Sequence, residues 1–310
     1  LVQQNQKIHA KGLLGSSISF VIQALFEKTE LPFLLLFNDK EEAAYYLNDL
    51  ESLINTNDVL FYPGSYRRPY QIEETDNANI LLRAEVLNRI NSRKKPAIIV
   101  SYPEALFEKV VTRKELEKNT LKVSINDKLS IDFINETLFE YNFKRVDFVT
   151  EPGEFSVRGG IIDVFSFSND HPYRIEFFGN EVDSIRSFDV ETQLSVEKLK
   201  KISIIPNVEN KFLDENRETF LNYINDKTVI FTQNTELVCN QLDKLFSKAV
   251  EAFDKLSKDI KHAQPKELFV NQEQFLKQAV HFNIVELSNT ALFKTTKEFE
   301  FHIQPQPSFN

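Results

Sequence analysis

Glycine, cysteine and methionine are scarce in this sequence, and each shortage closes off a class of protein. Seven glycines and 11 prolines among 310 residues leave little room for low-complexity linkers. No internal repeat of fixed period is visible, which argues against a solenoid. The single cysteine, Cys239, excludes an intrachain disulfide framework and fits a reducing compartment. Methionine is absent altogether, so local spacings are read with a tolerance of one residue. No stretch approaches the ~20 consecutive apolar residues of a membrane span. Leu1 to Lys11 is polar, where a secretory signal would carry an apolar run. A cytoplasmic protein is expected.

Positive charge is also short. Lys and Arg number 37 against 46 Asp and Glu, giving a net charge of −9 and a pI near 5.3. Surfaces that track phosphates are usually basic, because affinity there comes from displaced counterions. Free nucleic acid is therefore a poor main partner. The clusters Arg67-Arg68 and Arg93-Lys94-Lys95 read as solvated surface rather than a DNA-contacting scaffold.

What the sequence has in quantity is apolar bulk: 42% hydrophobic residues, 28 of them Phe. Pro32 to Phe37 is a short apolar run, as expected of a parallel strand buried on both faces. Asn38 and Asp39 offer caps, and Glu41 to Leu53 has helical spacing. Val59 to Tyr62 and Ala97 to Val100 read as further strands, with a helix over Leu81 to Ile90 between them. This alternation predicts a doubly wound α/β domain. From about Lys114 the style changes. A helix over Ile131 to Tyr141 is followed by strands at Arg145 to Glu151, Phe155 to Arg158, Ile161 to Phe165, Tyr173 to Phe178 and Glu181 to Phe188. Gly159-Gly160 and Gly179-Asn180 punctuate them as tight turns. After Pro206 the α/β style returns at Thr228 to Phe231 and Asn234 to Leu245. The predicted organisation is one α/β domain in two segments, 1–113 and 207–310, split by an α+β insertion over 114–206.

No convincing catalytic site emerges. Gly12-Leu13-Leu14-Gly15-Ser16-Ser17-Ile18-Ser19 has the outline of a phosphate loop ahead of a helix. However, Ser17 stands at the second glycine position and Ile18 where a lysine would neutralise phosphate, so a vestigial loop is expected. The five histidines, His9, His171, His262, His281 and His302, have no metal-ligand spacing. Cys239 reads as core. Asp214-Glu215-Asn216-Arg217 follows no buried strand and reads as a solvated helix face. No cofactor, metal or catalytic residue is assigned.

The informative stretch is EPGEFSVRGGIIDVF, from Glu151, with PYRIEFFGNEVDSIRSFD, from Pro172. Side chains alternate along a strand. Arg174, Glu176 and Phe178 therefore share one face while Ile175 and Phe177 take the other. A large aromatic on a charged face beside arginine has the composition of an interface hot spot. The competing reading is that Phe178 packs beneath a helix while Arg174 pairs internally with Glu176 or Asp163.

These two motifs closely resemble the module shared by the excision-repair protein UvrB and the transcription-repair coupling factors. More loosely, the likeness covers most of the chain, including Leu60 to Glu74 with its PYQIEET ending. The resemblance implies a degenerate RecA-like domain, lacking the P-loop lysine, split by an inserted UvrA-binding domain. It implies that Arg158, Arg174 and Phe178 contact UvrA, with Gly159, Gly160, Asp163 and Glu176 in support. The region between Tyr62 and Ala97 is too short for the DNA-contacting hairpin of UvrB. RNA polymerase and DNA would be reached through domains outside this sequence, including an ATP-driven translocase, so the chain is expected to be a non-catalytic amino-terminal fragment of a longer protein.

Overall fold

A computed structural model describes residues 5–65, 70, 77–92, 95–167, 169, 171–206, 216–256 and 262–304. Arg67, Arg68, Arg93 and Lys94, and with them most of the two basic clusters, lie outside the described residues, as do Asp214 and Glu215. The chain forms two compact units: Leu1–Glu74, Arg89–Val110 and Arg217–Asn310 make the first, and Thr75–Asn88 with Val111–Asn216 the second.

The first unit is built on a seven-stranded, wholly parallel sheet. Across the sheet the strands run Lys297–Glu300, Lys7–Lys11, Asn283–Glu286, Val229–Thr232, Phe33–Leu36, Ile98–Ser101 and Val59–Phe61. A parallel sheet covered on both faces needs strands that are apolar throughout rather than alternating. Phe33 to Leu36, Val229 to Phe231 and Ile98 to Val100 meet that need, and all are buried. Phe33 lies between Phe26 and Phe231, its ring 5.5 and 4.9 Å from theirs. Helices begin at side-chain caps that satisfy otherwise orphaned amides. The Glu42 amide donates to Asp39 Oδ1 (2.8 Å) and the Leu237 amide to Asn234 Oδ1 (3.0 Å). Cys239 is buried in the Thr235–Asp254 helix, and burial pushes its thiol up to about 11. Asn283–Glu286 and Lys297–Glu300 are strands that the sequence reading left unassigned. Arg217 opens a two-residue strand, Arg217–Glu218, which corrects the expected helix face there.

In the second unit the six-stranded sheet runs Ser195–Leu199, Glu181–Phe188, Tyr173–Phe178, Ile161–Val164, Glu154–Arg158 and Lys144–Arg145, antiparallel except for the last pair. A two-stranded ladder of Leu121–Ser124 with Lys201–Ile204 stands beside it. Phe155, Ile162, Val164, Tyr173, Ile175, Val182 and Ile185 are buried on one face of the larger sheet. The Ile131–Glu140 helix belongs to that side, burying Ile134 and Leu138 and setting Phe139 edge-on to Phe155 at 5.2 Å.

One expected strand is overturned. Of Arg145 to Glu151 only Arg145 joins the sheet, as the end of the two-residue strand Lys144–Arg145. The amides of Thr150 and Glu151, which a ladder would need, donate instead to Glu154 Oε2 at 2.9 and 3.1 Å. Beyond Val146 the segment is a pinned loop.

Among the described residues, no helix is long and apolar enough to cross a membrane.

Candidate functional site: an arginine and phenylalanine face

The second face of the antiparallel sheet is where the polar residues gather. Cross-strand register puts Ser156, Asp163, Arg174, Arg186 and Lys198 in one row, and Arg158, Ile161, Glu176 and Ser184 in the next. Both hairpins that bound this face turn in two residues. Arg158 pairs with Ile161 across Gly159-Gly160, and Phe178 pairs with Glu181 across Gly179-Asn180. In each the first glycine has positive φ, +58° at Gly159 and +63° at Gly179, as a type II′ turn requires.

Asp163 organises the centre. It is buried, and its carboxylate accepts from both arginines. Arg174 Nε donates to Oδ1 at 2.6 Å and Arg174 Nη2 to Oδ2 at 2.8 Å, a bidentate pair. Arg158 Nη2 donates to the same Oδ2. The Arg174 guanidinium also lies 4.4 Å from the ring centre of buried Phe188 and donates to Gln193 Oε1 at 3.1 Å. The hydrogen bond to Asp163 holds Arg174 above the ordinary arginine range, so it stays charged. Phe188 belongs to a small apolar cluster with Val149 and Phe165, edged by Val146 and Val190. Arg174 is thus fixed from below by packing and from the side by charge.

Glu176 is occupied elsewhere. Ser184 Oγ donates to Glu176 Oε2 at 2.6 Å and Arg186 Nη2 to Oε1 at 2.7 Å. A bulge follows directly after this pair. Glu176 pairs with Ser184 but Phe177 pairs with Val182, leaving Asp183 as the extra residue. Val182 and Ile185 both turn inward as a result, while Ser184 and Arg186 share the face with Glu176. Three guanidiniums, Arg158, Arg174 and Arg186, face two carboxylates, Asp163 and Glu176, in these pairings. One positive charge is left over.

Phe178 stands at the end of this face, 84% exposed. The reading that it packs beneath a helix is therefore wrong, while internal pairing of Arg174 is real and goes to Asp163. The sequence reading missed Phe148, which is 64% exposed with the Arg158 guanidinium 5.4 Å from its ring centre.

The lowered carboxyls here give a pH expectation. The Ser184 and Arg186 hydrogen bonds hold Glu176 below the ordinary glutamate value of 4.5. Partial burial would raise Glu154, but the Thr150 and Glu151 amides and the Thr150 hydroxyl outweigh it and hold it below 4.5 too. A carboxyl depressed in the folded state contributes stability that is complete above its unfolded value and is lost as pH falls through the folded one. The urea midpoint should therefore decline as pH falls below about 4.5, and Glu176→Gln should remove part of that slope. An unchanged slope in that variant would contradict the pairing.

In the first unit, the glycine-bounded loop leads into the Ser17–Thr29 helix. Gly12 and Gly15 have φ of +77° and +53°. A Cβ at Gly12 would collide with the Phe301 carbonyl oxygen, just past the last described strand, while Leu14 and Gly15 stay exposed. Ser17 Oγ closes it by donating to the Leu14 carbonyl at 2.7 Å. Ile18 is buried in the core, and Ser19 Oγ donates to Asp49 Oδ2 at 3.2 Å. Among the described residues, no group of three or more His, Cys, Asp or Glu is placed to hold a metal.

Comparison with known proteins gives this geometry a context. Residues 121–209 match the UvrB interaction domain. The chain is 34% identical over 196 residues, 63% of its length, to the transcription-repair-coupling factor of Bacillus subtilis. It is 29% identical over 224 residues, 70% of its length, to that of Myxococcus xanthus. With that of Escherichia coli it shares 27% over 194 residues, again 63% of its length. The matches cover 16%, 18% and 17% of those relatives. Residues 121–209 are therefore similar to the UvrB interaction domain, and the chain is similar to the transcription-repair-coupling factors, of whose length it spans about a sixth.

Proposed function

We propose that this chain is a docking module that recruits UvrA, and that Arg158, Arg174 and Phe178 make the contact. The observation that carries the reading is the 84%-exposed Phe178 on the same strand face as Arg174, within the segment that matches the UvrB interaction domain. An aromatic left in water beside preordered guanidiniums contributes little to folding and much to binding. Asp163 fixes the arginines before any partner arrives, which lowers the entropic cost of association. Arg158 has more N–H groups than its bonds to Asp163 and the Asp147 carbonyl use, so it can still meet a carboxylate or carbonyl on UvrA. Gly159 and Gly160 supply the turn behind Arg158.

Within a whole coupling factor, such a module would link stalled RNA polymerase to nucleotide excision repair, while polymerase and DNA would be engaged by other domains. We also assign no ATP turnover to this chain. Ile18 in place of a lysine, buried in the core, and the Phe301 carbonyl set against Gly12 support that reading over a UvrB-like ATP-dependent enzyme. The two chain segments 1–113 and 207–310 would form one degenerate RecA-like domain, with 114–206 inserted.

Amide hydrogen exchange, with and without UvrA, tests the docking face. Residues 146–151, 156–163 and 174–181 should slow on complex formation while the Ile131–Glu140 helix does not. Slowing confined to that helix, or none anywhere, would overturn the proposal.

A further inference from the structure

We infer that Phe148 is a second aromatic anchor of this docking face, one that meets the partner together with Arg158; the inference rests on the UvrA-docking reading.

The observation is an apolar side chain held in water by a well-fastened loop. Before Phe148, the Val146 amide donates to the Phe155 carbonyl at 2.9 Å. After it, Val149 is 1% exposed in the cluster with Phe165 and Phe188. Next, Thr150 donates through both its amide and its hydroxyl, and Glu151 through its amide, to Glu154 Oε2 at 2.9, 3.0 and 3.1 Å. A loop fixed on both sides does not expose a ring through slackness. Nor does the fold need the ring, because its neighbour Val149 fills the apolar pocket.

What the ring does touch is Arg158. The guanidinium lies 5.4 Å from the ring centre, within cation–π range, and donates to the Asp147 carbonyl at 3.3 Å and to Asp163. Phe148 and Asp163 thus both engage the Arg158 guanidinium. Arg158 lies in the same cross-strand row as Glu176, and Phe178 comes one pleat further along that strand. Two strand spacings and one pleat separate the Phe178 and Arg158 backbones, on the order of 10–12 Å. Phe178 at that distance from Arg158 on one side, and Phe148 against the Arg158 guanidinium on the loop, fit a partner ridge that carries a carboxylate flanked by apolar side chains. Interfaces are built this way, from aromatic anchors around a desolvated charge contact.

The test titrates UvrA with the whole chain and with its Phe148→Ala, Phe148→Leu, Phe178→Ala and Phe133→Ala variants. Phe133 is 47% exposed on the Ile131–Glu140 helix and serves as the control. Phe148→Ala should weaken binding about tenfold with an unchanged melting temperature. Phe148→Leu, which keeps apolar area but loses the π face, should weaken it about threefold. Phe133→Ala should bind like the parent. If Phe178→Ala weakens binding but both Phe148 variants stay within twofold of the parent, Phe148 is no anchor and the docking reading survives. An equal loss in Phe133→Ala also overturns the inference, because the effect is then not local to this face. Should Phe148→Ala melt early, Phe148→Leu decides alone. No binding by the parent would sink the docking reading itself, and this inference with it.

Discussion

Phe178→Ala should weaken UvrA binding by at least about 30-fold, because truncating an aromatic anchor typically costs about 2 kcal/mol or more. The same variant should melt within about a degree of the parent. That combination follows from where the ring is. At 84% exposure it gives almost no burial to the fold, so nothing is lost from the core on its removal. The strand beneath it is set by Ile175 on the opposite face and by the Gly179-Asn180 turn, neither of which involves the ring. Titration calorimetry and a thermal melt on one preparation separate the two effects. A large drop in melting temperature would show the ring to be structural, contrary to its position. Affinity unchanged by the truncation would remove Phe178 from the interface.

Asp163→Ala should have the largest effect on stability, about 3 kcal/mol. Asp163 is 2% exposed and accepts from two guanidiniums, and its loss leaves Arg174, with a side chain only 15% exposed, without its counter-ion. The Arg158 side chain is 41% exposed, so water replaces much of what that pair contributes. Asp163→Asn keeps a hydrogen-bond acceptor and should cost less. Urea unfolding of Asp163→Ala, Arg174→Ala and the double variant gives the coupling directly. A double variant no less stable than Asp163→Ala alone would show that the penalty is the stranded charge. Fully additive losses would contradict the bidentate pairing. UvrA affinity should fall in Asp163→Ala as well, since Arg174 then loses its bidentate partner and keeps the contacts to Phe188 and Gln193.

Much of this face was legible in the sequence because antiparallel strands expose their pattern two residues at a time. Arg174, Glu176 and Phe178 fall together by alternation alone, and Gly159-Gly160 and Gly179-Asn180 mark the hairpins. The pairing of Glu176 with Arg186 was not legible by strict alternation, which places Val182 on the face of Ser184 and Arg186. Yet Val182 and Ile185 are apolar and three apart, a spacing that only a bulge reconciles with a common buried face, and that was the available signal. Phe148 was missed for a different reason. Val146 and Phe148 alternate as in a strand, and only the Glu154 carboxylate, drawing in the Thr150 and Glu151 amides, makes the segment a loop. The side-chain acceptor that decides this is local, but its choice of partner is not written in any periodicity. In the first unit, the buried central strands announced themselves as continuous apolar runs. The Lys297–Glu300 strand did not, since it is an exposed edge strand with charges at three of its four positions, KEFE.

The most direct measurement is co-elution of UvrA with this chain on a sizing column, set beside a doubly charge-reversed Arg158→Glu, Arg174→Glu variant whose folding is checked by circular dichroism. The parent chain should elute with UvrA, and the folded double variant should elute alone. A parent that never joins UvrA, or a folded double variant that joins it as readily as the parent, would rule out docking through these arginines.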